Sequence, residues 1–289
     1  MNFFQMEVFL KVVDSGSFTR AGEQIGLTQS GVSHNITALE TELNVSLLKR
    51  GRNGISLTTA GEYIIPHMRA IMQNMDNIEQ KVAAMNGLEI GKLSIGSFPS
   101  FSSNYIPILF SIFKERFPNI ELHLFEGSYN DIVKWVEDGV VDIGFAALPV
   151  KNVDFTHLLE DPLYAVVYNG HCFENNTRLS IENFEDEPFI MLRSGCETLI
   201  EDRFREANCK LTITYDVKDN QTVLSMVENK LGISIMPSLA IPKNHKRIRS
   251  ISISPSLSRD IGLITKQKKE LTPIAQEFSR VVQNYFQNN

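Results

Sequence analysis

The side chains of this 289-residue sequence that could do chemistry do not assemble into a catalytic motif. His-Glu-x-x-His, Gly-x-Ser-x-Gly, Gly-x-Gly-x-x-Gly and the phosphate-cradling Gly-x-x-x-x-Gly-Lys-Ser/Thr are absent, and Gly87-Leu88-Glu89-Ile90-Gly91-Lys92 falls one residue short of the last. His34, His67, His123, His157, His171 and His245 are scattered without metal-ligand spacing. Cys172, Cys196 and Cys209 form an odd set with no Cys-x-x-Cys, which suits neither a disulfide framework nor a zinc site. The sequence therefore predicts no catalytic residue, no metal and no cofactor.

Binding chemistry is better represented. Gln29, Ser30, Ser33, His34 and Thr37 offer small neutral donors and acceptors at helical spacing, and Lys49-Arg50-Gly51-Arg52 gathers cations. Ser97-Phe98-Pro99-Ser100-Phe101-Ser102-Ser103 is a hydroxyl-rich stretch, and Arg193-Ser194-Gly195-Cys196 places a cation and a thiol at a turn. Both stretches sit between a strand-like and a helix-like run, where free amides and an arginine suit a polar or anionic small molecule. Cys196 near a helix start beside Arg193 could also be an activated thiol with Cys209 as its resolving partner; an inert buried cysteine fits the same residues.

The elements that must hold these groups can be read from periodicity. Phe4, Val8, Phe9, Val12 and Val13 recur at helical spacing until Asp14-Ser15-Gly16-Ser17 stops the run. Ser17 can cap a second helix, Phe18 to Ile25, and Gly26-Leu27-Thr28 makes a turn into a third, Gln29 to about Leu43. Val32, Ile36, Leu39 and Leu43 of that helix face inward, which leaves the polar ridge outside. Two short helices around a Gly-containing turn are the sequence form of a helix-turn-helix, although a plain three-helix bundle has the same pattern. The cations at the base of two extended pieces around Gly51 to Gly54 read as a winged hairpin and favour DNA. Over residues 1 to 58 Lys11, Arg20, Lys49, Arg50 and Arg52 are cancelled by Glu7, Asp14, Glu23, Glu40 and Glu42. Gln24 through Leu39 nevertheless contains no carboxylate, so the charges are segregated.

Thr59-Ala60-Gly61-Glu62 is a capping box that opens a long helix ending near Gly87. Ile64, Met68, Ile71, Met75, Ile78, Val82 and Met85 alternate by four and three, which favours a coiled-coil dimer over a helix packed on its own domain. Pro66 should kink it. From Lys92 strands (93–96, 120–125, 141–146, 163–168, 189–192, 212–217, 233–236, 259–265) alternate with helices (104–117, 129–138, 197–206, 220–229, 273–286), predicting two α/β lobes with a parallel sheet. Hydrophobic residues at 43% and charged residues at 21% exclude a disordered chain, and a net charge of −6 argues against a protein that coats nucleic acid while leaving room for a small basic surface on one domain. No apolar run approaches the ~20 residues of a membrane span, and nothing marks the amino terminus for export, so a cytoplasmic location is expected.

The run Phe18-Thr19-Arg20-Ala21-Gly22-Glu23-Gln24-Ile25-Gly26-Leu27-Thr28-Gln29-Ser30-Gly31-Val32-Ser33-His34-Asn35-Ile36, with Leu39-Glu40, Leu43 and Leu57-Thr58-Thr59-Ala60-Gly61, resembles the DNA-binding module of the LysR-type transcriptional regulators. The similarity extends over the whole chain, with Ser30 and His34 standing where the family often has Pro and Arg. It implies an α+β multidomain fold: a winged helix-turn-helix over residues 1–58, a long linker helix for dimerisation over 59–88, and a two-lobed α/β effector-binding domain of the type 2 periplasmic binding protein kind over 89–289. Lobe I would span about 89–161 plus 266–289, and lobe II about 162–265.

Carried over by position, the resemblance implies DNA contacts by Thr28, Gln29, Ser30, Ser33, His34, Arg50 and Arg52. It implies an effector site at Ser97, Ser100, Phe101, Arg193, Ser194 and Thr222, and helix pairing through Met68, Ile71, Met75, Ile78 and Val82. The function implied is a transcriptional regulator, not an enzyme, controlled by a small anionic effector. Its partners would be double-stranded DNA with a pseudo-palindromic site, further copies of itself as a homodimer and homotetramer, and RNA polymerase, with no membrane. The alternatives are a redox sensor acting through Cys196 and a small-molecule binding protein without DNA function.

Overall fold

The computed structural model describes residues 1–51, 54–85, 90–267 and 271–288. Arg52, expected in the wing, and Gly87, the expected helix stop, lie outside the described residues, as does the side chain of Arg50. The chain divides into two compact units, Met1–Gly91 with the short pieces Glu137–Val140 and Thr272–Ile274, and the remainder.

In the first unit, local chemistry at each helix end decides where the chain turns. Helix α1 (Phe3–Ser15) opens on a capping box between Asn2 and Gln5. Helix α2 (Phe18–Ile25) is capped by Ser17, whose side chain accepts from the Arg20 amide, and ends at Gly26 with φ 70°, a left-handed conformation that a side chain would oppose. Helix α3 (Gln29–Leu43) starts from Thr28, whose hydroxyl accepts the Gly31 amide at 3.1 Å. Val32, Ile36 and Leu39 are buried against Val8, Phe9 and Val12, so α3 is anchored by one apolar stripe.

Strands β1 (Leu48–Gly51) and β2 (Gly54–Leu57) form the wing in antiparallel register, Leu48 opposite Leu57 and Gly51 opposite Gly54. Its base is tied to α3 by one carboxylate: Glu40 Oε1 accepts the amides of Leu47 at 2.6 Å and Leu48 at 3.1 Å. Helix α4 (Thr59–Met85) then runs unbroken through Pro66. Its cap is Thr58, one residue before the expected Thr59. The Thr58 hydroxyl donates to Ser46 O at 2.7 Å and accepts the Gly61 amide at 3.0 Å, so it closes the wing and opens the helix together. The apolar seam of α4 divides. Met68 is 2% exposed in the core of its own unit, with Ile64, Ile65, Ile71 and Met72 around it, whereas Ile78 and Val82 are 58% and 51% exposed. Met68 is therefore a core residue and not a dimer contact.

The second unit is built on strands β3 (Gly91–Ser97), β4 (Ile120–Glu126), β5 (Ile143–Ala147), β6 (Val153–Tyr168), β7 (Arg178–Ser180), β8 (Phe189–Leu192), β9 (Ile213–Val217), β10 (Ser234–Pro237), β11 (Ile248–Ser254) and β12 (Ser258–Lys266). Between and after them come helices α5 (Pro99–Arg116), α6 (Tyr129–Asp138), α7 (Glu197–Glu206), α8 (Asn220–Glu228) and α9 (Pro273–Gln287). Eight strands share one sheet in the order β4-β3-β5-β12-β6-β11-β7, with β10 also on β6. The sheet is mixed and not all parallel: β3 runs parallel to β5, and β12 and β6 run antiparallel to their neighbours.

The long strand β6 makes the lobes. Val153 to Pro162 pair with β12, and Leu163 to Tyr168 pair with β10 and β11, so the chain crosses at Pro162–Leu163. The return crossing lies at Leu257–Ser258, because β12 pairs with β5 along Ile261 to Thr265. Residues 258–265 thus belong to lobe I, a correction to the expected return near Thr265-Lys266. In lobe II β8 is buried on both faces, Phe189 and Met191 in one cluster and Ile190 and Leu192 in the other. In lobe I Phe101 of α5 stacks on Phe145 of β5 at 4.4 Å, and Phe113 meets Phe278 of α9 at 5.2 Å.

Replacing Glu40 by Ala should lower the stability of the first unit by about 1–3 kcal/mol, the cost of orphaning buried amides. Hydrogen exchange at Leu47 and Leu48 should accelerate in the same variant. Unchanged exchange there would show that something else holds the wing.

Candidate functional site

Two sites can be built from residues upward, one in each unit. On α3 the inward stripe leaves Gln29, Ser30, His34 and Thr37 exposed and Ser33 half-buried. Thr28 and Ser30 hydroxyls lie 3.0 Å apart, and Thr37 donates to Ser33 O at 2.9 Å, so the short side chains are held close to the helix and leave a low ridge. An α-helix of this profile fits a major groove, where neutral donors and acceptors read base edges. Lys49 is exposed at the base of the wing.

In the second unit the dominant feature is a buried arginine. Arg259 is 3% exposed and faces Asp161, its cross-strand partner on β6, at 1%. Its Nε and one terminal nitrogen donate to Asp161 Oδ2 at 2.9 and 2.7 Å. The same terminal nitrogen donates to Ser100 Oγ at 3.0 Å, and the other donates to Tyr129 OH and to Cys196 Sγ, the latter at 3.5 Å. All five N–H groups of the guanidinium are thus used. Asp161 Oδ1 accepts from Ser238 Oγ at 2.6 Å and the Leu239 amide at 3.2 Å. The cluster draws on α5, α6 and both crossing strands, on the α7 cap, and on the turn after β10, so it stands where the lobes meet.

Its aromatic wall is equally tight. The Phe98 ring meets Tyr129 edge-on at 4.9 Å, and the guanidinium lies 4.9 Å over Phe98. Gly195, at φ 109°, packs so closely on Tyr129 that a Cβ there would lie 2.4 Å from the ring. Burial opposes the charge on Arg259, but Tyr129, Cys196 and Asp161 around it hold it protonated beyond the ordinary arginine range. Burial, reinforced by Cys196, lifts the Tyr129 phenol well above its usual range. Burial also raises the Cys196 thiol, against the opposing pull of Arg259.

Several expected effector residues stand elsewhere. Helix α5 begins at Pro99, so Ser100 and Phe101 are on its first turn and not in a loop; a proline at the first helical position explains the earlier start. Ser100 joins the cluster. Phe101, fully buried on Phe145, is a core residue. Ser97 is fully buried at the end of β3, and its hydroxyl has no hydrogen-bond partner among the described residues. Arg193 is not a free cation: its Nε donates to Asp216 at 2.6 Å and a terminal nitrogen to Glu201 at 2.8 Å. Ser194 is half-buried on the turn leading to Cys196, and Thr222 is exposed with its hydroxyl on Asp219 at 2.9 Å. Asp161, Arg259 and Tyr129 were not singled out from sequence. The usable signal was a charged residue just inside each crossing, next to Pro162 and Ser258.

These features define a class, a winged helix-turn-helix module joined to a two-lobed effector-binding unit. The comparisons agree. A family model described as the LysR substrate binding domain matches residues 86–287, and one described as a bacterial regulatory helix-turn-helix protein of the lysR family matches residues 3–62. The chain is 32% identical over 292 residues to the HTH-type transcriptional regulator YvbU of Bacillus subtilis, covering 99% of each chain. Among solved structures it resembles a full-length cysteine-to-aspartate variant of OxyR from Pseudomonas aeruginosa (TM-score 0.78, 20% identity, 99% and 95% of the two chains). It also resembles full-length CbnR in complex with its target DNA (TM-score 0.67, 21% identity, 98% and 99%). The chain belongs to the LysR family of transcriptional regulators, which are DNA-binding proteins and not enzymes.

Asp161→Asn should cost about 3–5 kcal/mol in denaturant unfolding, since it leaves the Arg259 charge buried without its counter-charge. A loss below about 1 kcal/mol would mean that water reaches the pair.

Proposed function

We propose that this regulator inserts the Gln29–Thr37 ridge of α3 into the major groove of a pseudo-palindromic site, with Thr28 and Lys49 on the adjacent backbone and Arg50 and Arg52 extending the wing's contact. The observation that carries this reading is the ridge itself, exposed and free of carboxylate on a helix whose other face is fully buried. Pairing is supported by Ile78 and Val82, exposed one helical turn apart on α4, with Ile71 and Met75 half-buried at the start of the same stripe. A second pairing surface, sufficient for a tetramer, is supported by the sheet-edge strand β4, where Leu124 and Phe125 are 40% and 38% exposed. In this reading the protein works in the cytoplasm, on the DNA.

The effector reading rests on the seam between the lobes. Ser100, Tyr129 and Cys196 contact Arg259, Ser194 lies on the turn leading to Cys196, and an acidic effector would compete with Asp161 for that guanidinium, with the orphan Ser97 hydroxyl as a further donor to it. The redox reading is favoured by the Arg259 contact to Cys196 Sγ at 3.5 Å. It is opposed by the raised thiol pKa, because the thiolate is the reactive form.

Ser33→Ala and His34→Ala should each weaken specific binding in a footprint by about 1–3 kcal/mol while leaving the melting transition in place. Footprints identical to the parent for both variants would remove the ridge from the groove. Ile78→Glu should dissociate the dimer in sedimentation without unfolding the chain, because this side chain is not part of its own core. A variant that sediments like the parent would place the pairing surface elsewhere.

A further inference from the structure

Lobe II carries a cluster that the regulator reading does not use. His171 is 7% exposed, and its ring lies 4.8 Å from the Tyr168 ring and 4.9 Å from Phe173. Cys172 is exposed, with Sγ 3.5 Å from His171 Nδ1. Glu187, fifteen residues further along the chain from Cys172, reaches His171 Nε2 at 3.4 Å. One ligand atom from each of the three side chains lies within 4.8 Å of the other two.

The 3.5 Å between Cys172 Sγ and His171 Nδ1 matches the separation of neighbouring ligands on one tetrahedral ion, roughly 3.3–3.7 Å for metal–ligand bonds of about 2.0–2.3 Å. The ring is also in the right tautomer. The Phe173 amide donates to Nδ1 at 3.2 Å, so Nδ1 is the unprotonated nitrogen, its lone pair open to an ion that displaces that amide, and Nε2 carries the proton that Glu187 accepts. A carboxylate holding the far N–H of an imidazole is the arrangement that orients and strengthens a histidine ligand.

We propose that His171 Nδ1 and Cys172 Sγ bind a zinc-class divalent ion at the surface of lobe II, with Glu187 as the positioning residue and water in the remaining coordination positions. Binding releases the Cys172 thiol proton to solvent and replaces the Phe173 amide contact. One thiolate and one carboxylate balance the two charges of the ion, and the exposed sulfur gives it a way in. The sequence hid the site because Glu187 is brought to His171 and Cys172 only by the fold.

The test uses the full-length reduced protein with Zn2+ in calorimetry and Co2+ in absorption spectroscopy. One ion per chain should bind, and Co2+ should produce a thiolate-to-metal charge-transfer band. Cys172→Ser should abolish the band, His171→Gln should abolish tight binding, and Glu187→Gln should weaken it about 10- to 100-fold. Cys196→Ser and Cys209→Ser should leave all of it unchanged. Cys172→Ser removes only an exposed sulfur, so its melting transition should match the parent and loss of the band cannot be put down to unfolding. Absence of saturable binding, or a band that survives in Cys172→Ser, would overturn the proposal, and Glu187→Gln binding at parental affinity would overturn the role given to Glu187.

Discussion

A full charge removed from water costs several kcal/mol unless its partner and its remaining hydrogen bonds are supplied where it is buried. Asp161 and Arg259 meet that demand at the point where both strands cross between lobes. Five donors and the carboxylate must be satisfied together, and the groups that do so come from both sides. Ser100 and Tyr129 belong to lobe I, and Cys196, Ser238 and Leu239 to lobe II. The relative position of the lobes is therefore fixed by a polar network, which is directional, and not by apolar contact alone. Asn104 adds a direct link, donating to Leu239 O at 2.9 Å.

A ligand shifts an equilibrium only by its differential affinity for the two states. Under the effector reading proposed above, that difference would come from exchanging protein partners of Arg259 for effector groups, because the guanidinium is already saturated. The DNA-binding unit has the opposite design. Glu40 and Thr58 lock the wing to α3 and to the start of α4 through local bonds, so wing and α3 ridge form one rigid part. Rigidity suits recognition, since an ordered ridge loses little conformational freedom on binding.

The helical module was legible because each of its determinants is local. Val32, Ile36 and Leu39 lie three or four residues apart and are all buried, and Gly26 and Thr28 act at the turn they punctuate. The long helix was legible as a helix, but the fate of its seam was not. Met68 and Ile78 occupy the same pattern, yet one is covered by its own unit and the other is bare, a difference set by what folds back on them. The lobes were legible as alternating strands and helices. The return crossing was misplaced because β12 and the first half of β6 find each other across about a hundred residues, with no local signal. Strand β11 alternates at Ile251 and Ile253, but Arg249-Ser250 put Ile248 out of step with them and blur the pattern.

The two arginines of the second unit show what sequence reasoning weighs wrongly. Arg193 looked like the effector's cation because it follows a strand and precedes a helix, the usual place for a ligand in an α/β sheet. Its carboxylates, Glu201 on α7 and Asp216 on β9, belong to its own lobe, so any motion of one lobe against the other leaves its environment unchanged. Arg259 lies in the interior of a strand, where a charge would ordinarily be a surface residue. Its partners are divided between the lobes, and no movement of the crossing can leave all of them in place. A cation reports a change in shape only when the shape change alters its neighbours, and by that criterion the buried arginine at the crossing, not the half-buried one at the turn, is the group whose contacts a lobe movement must change.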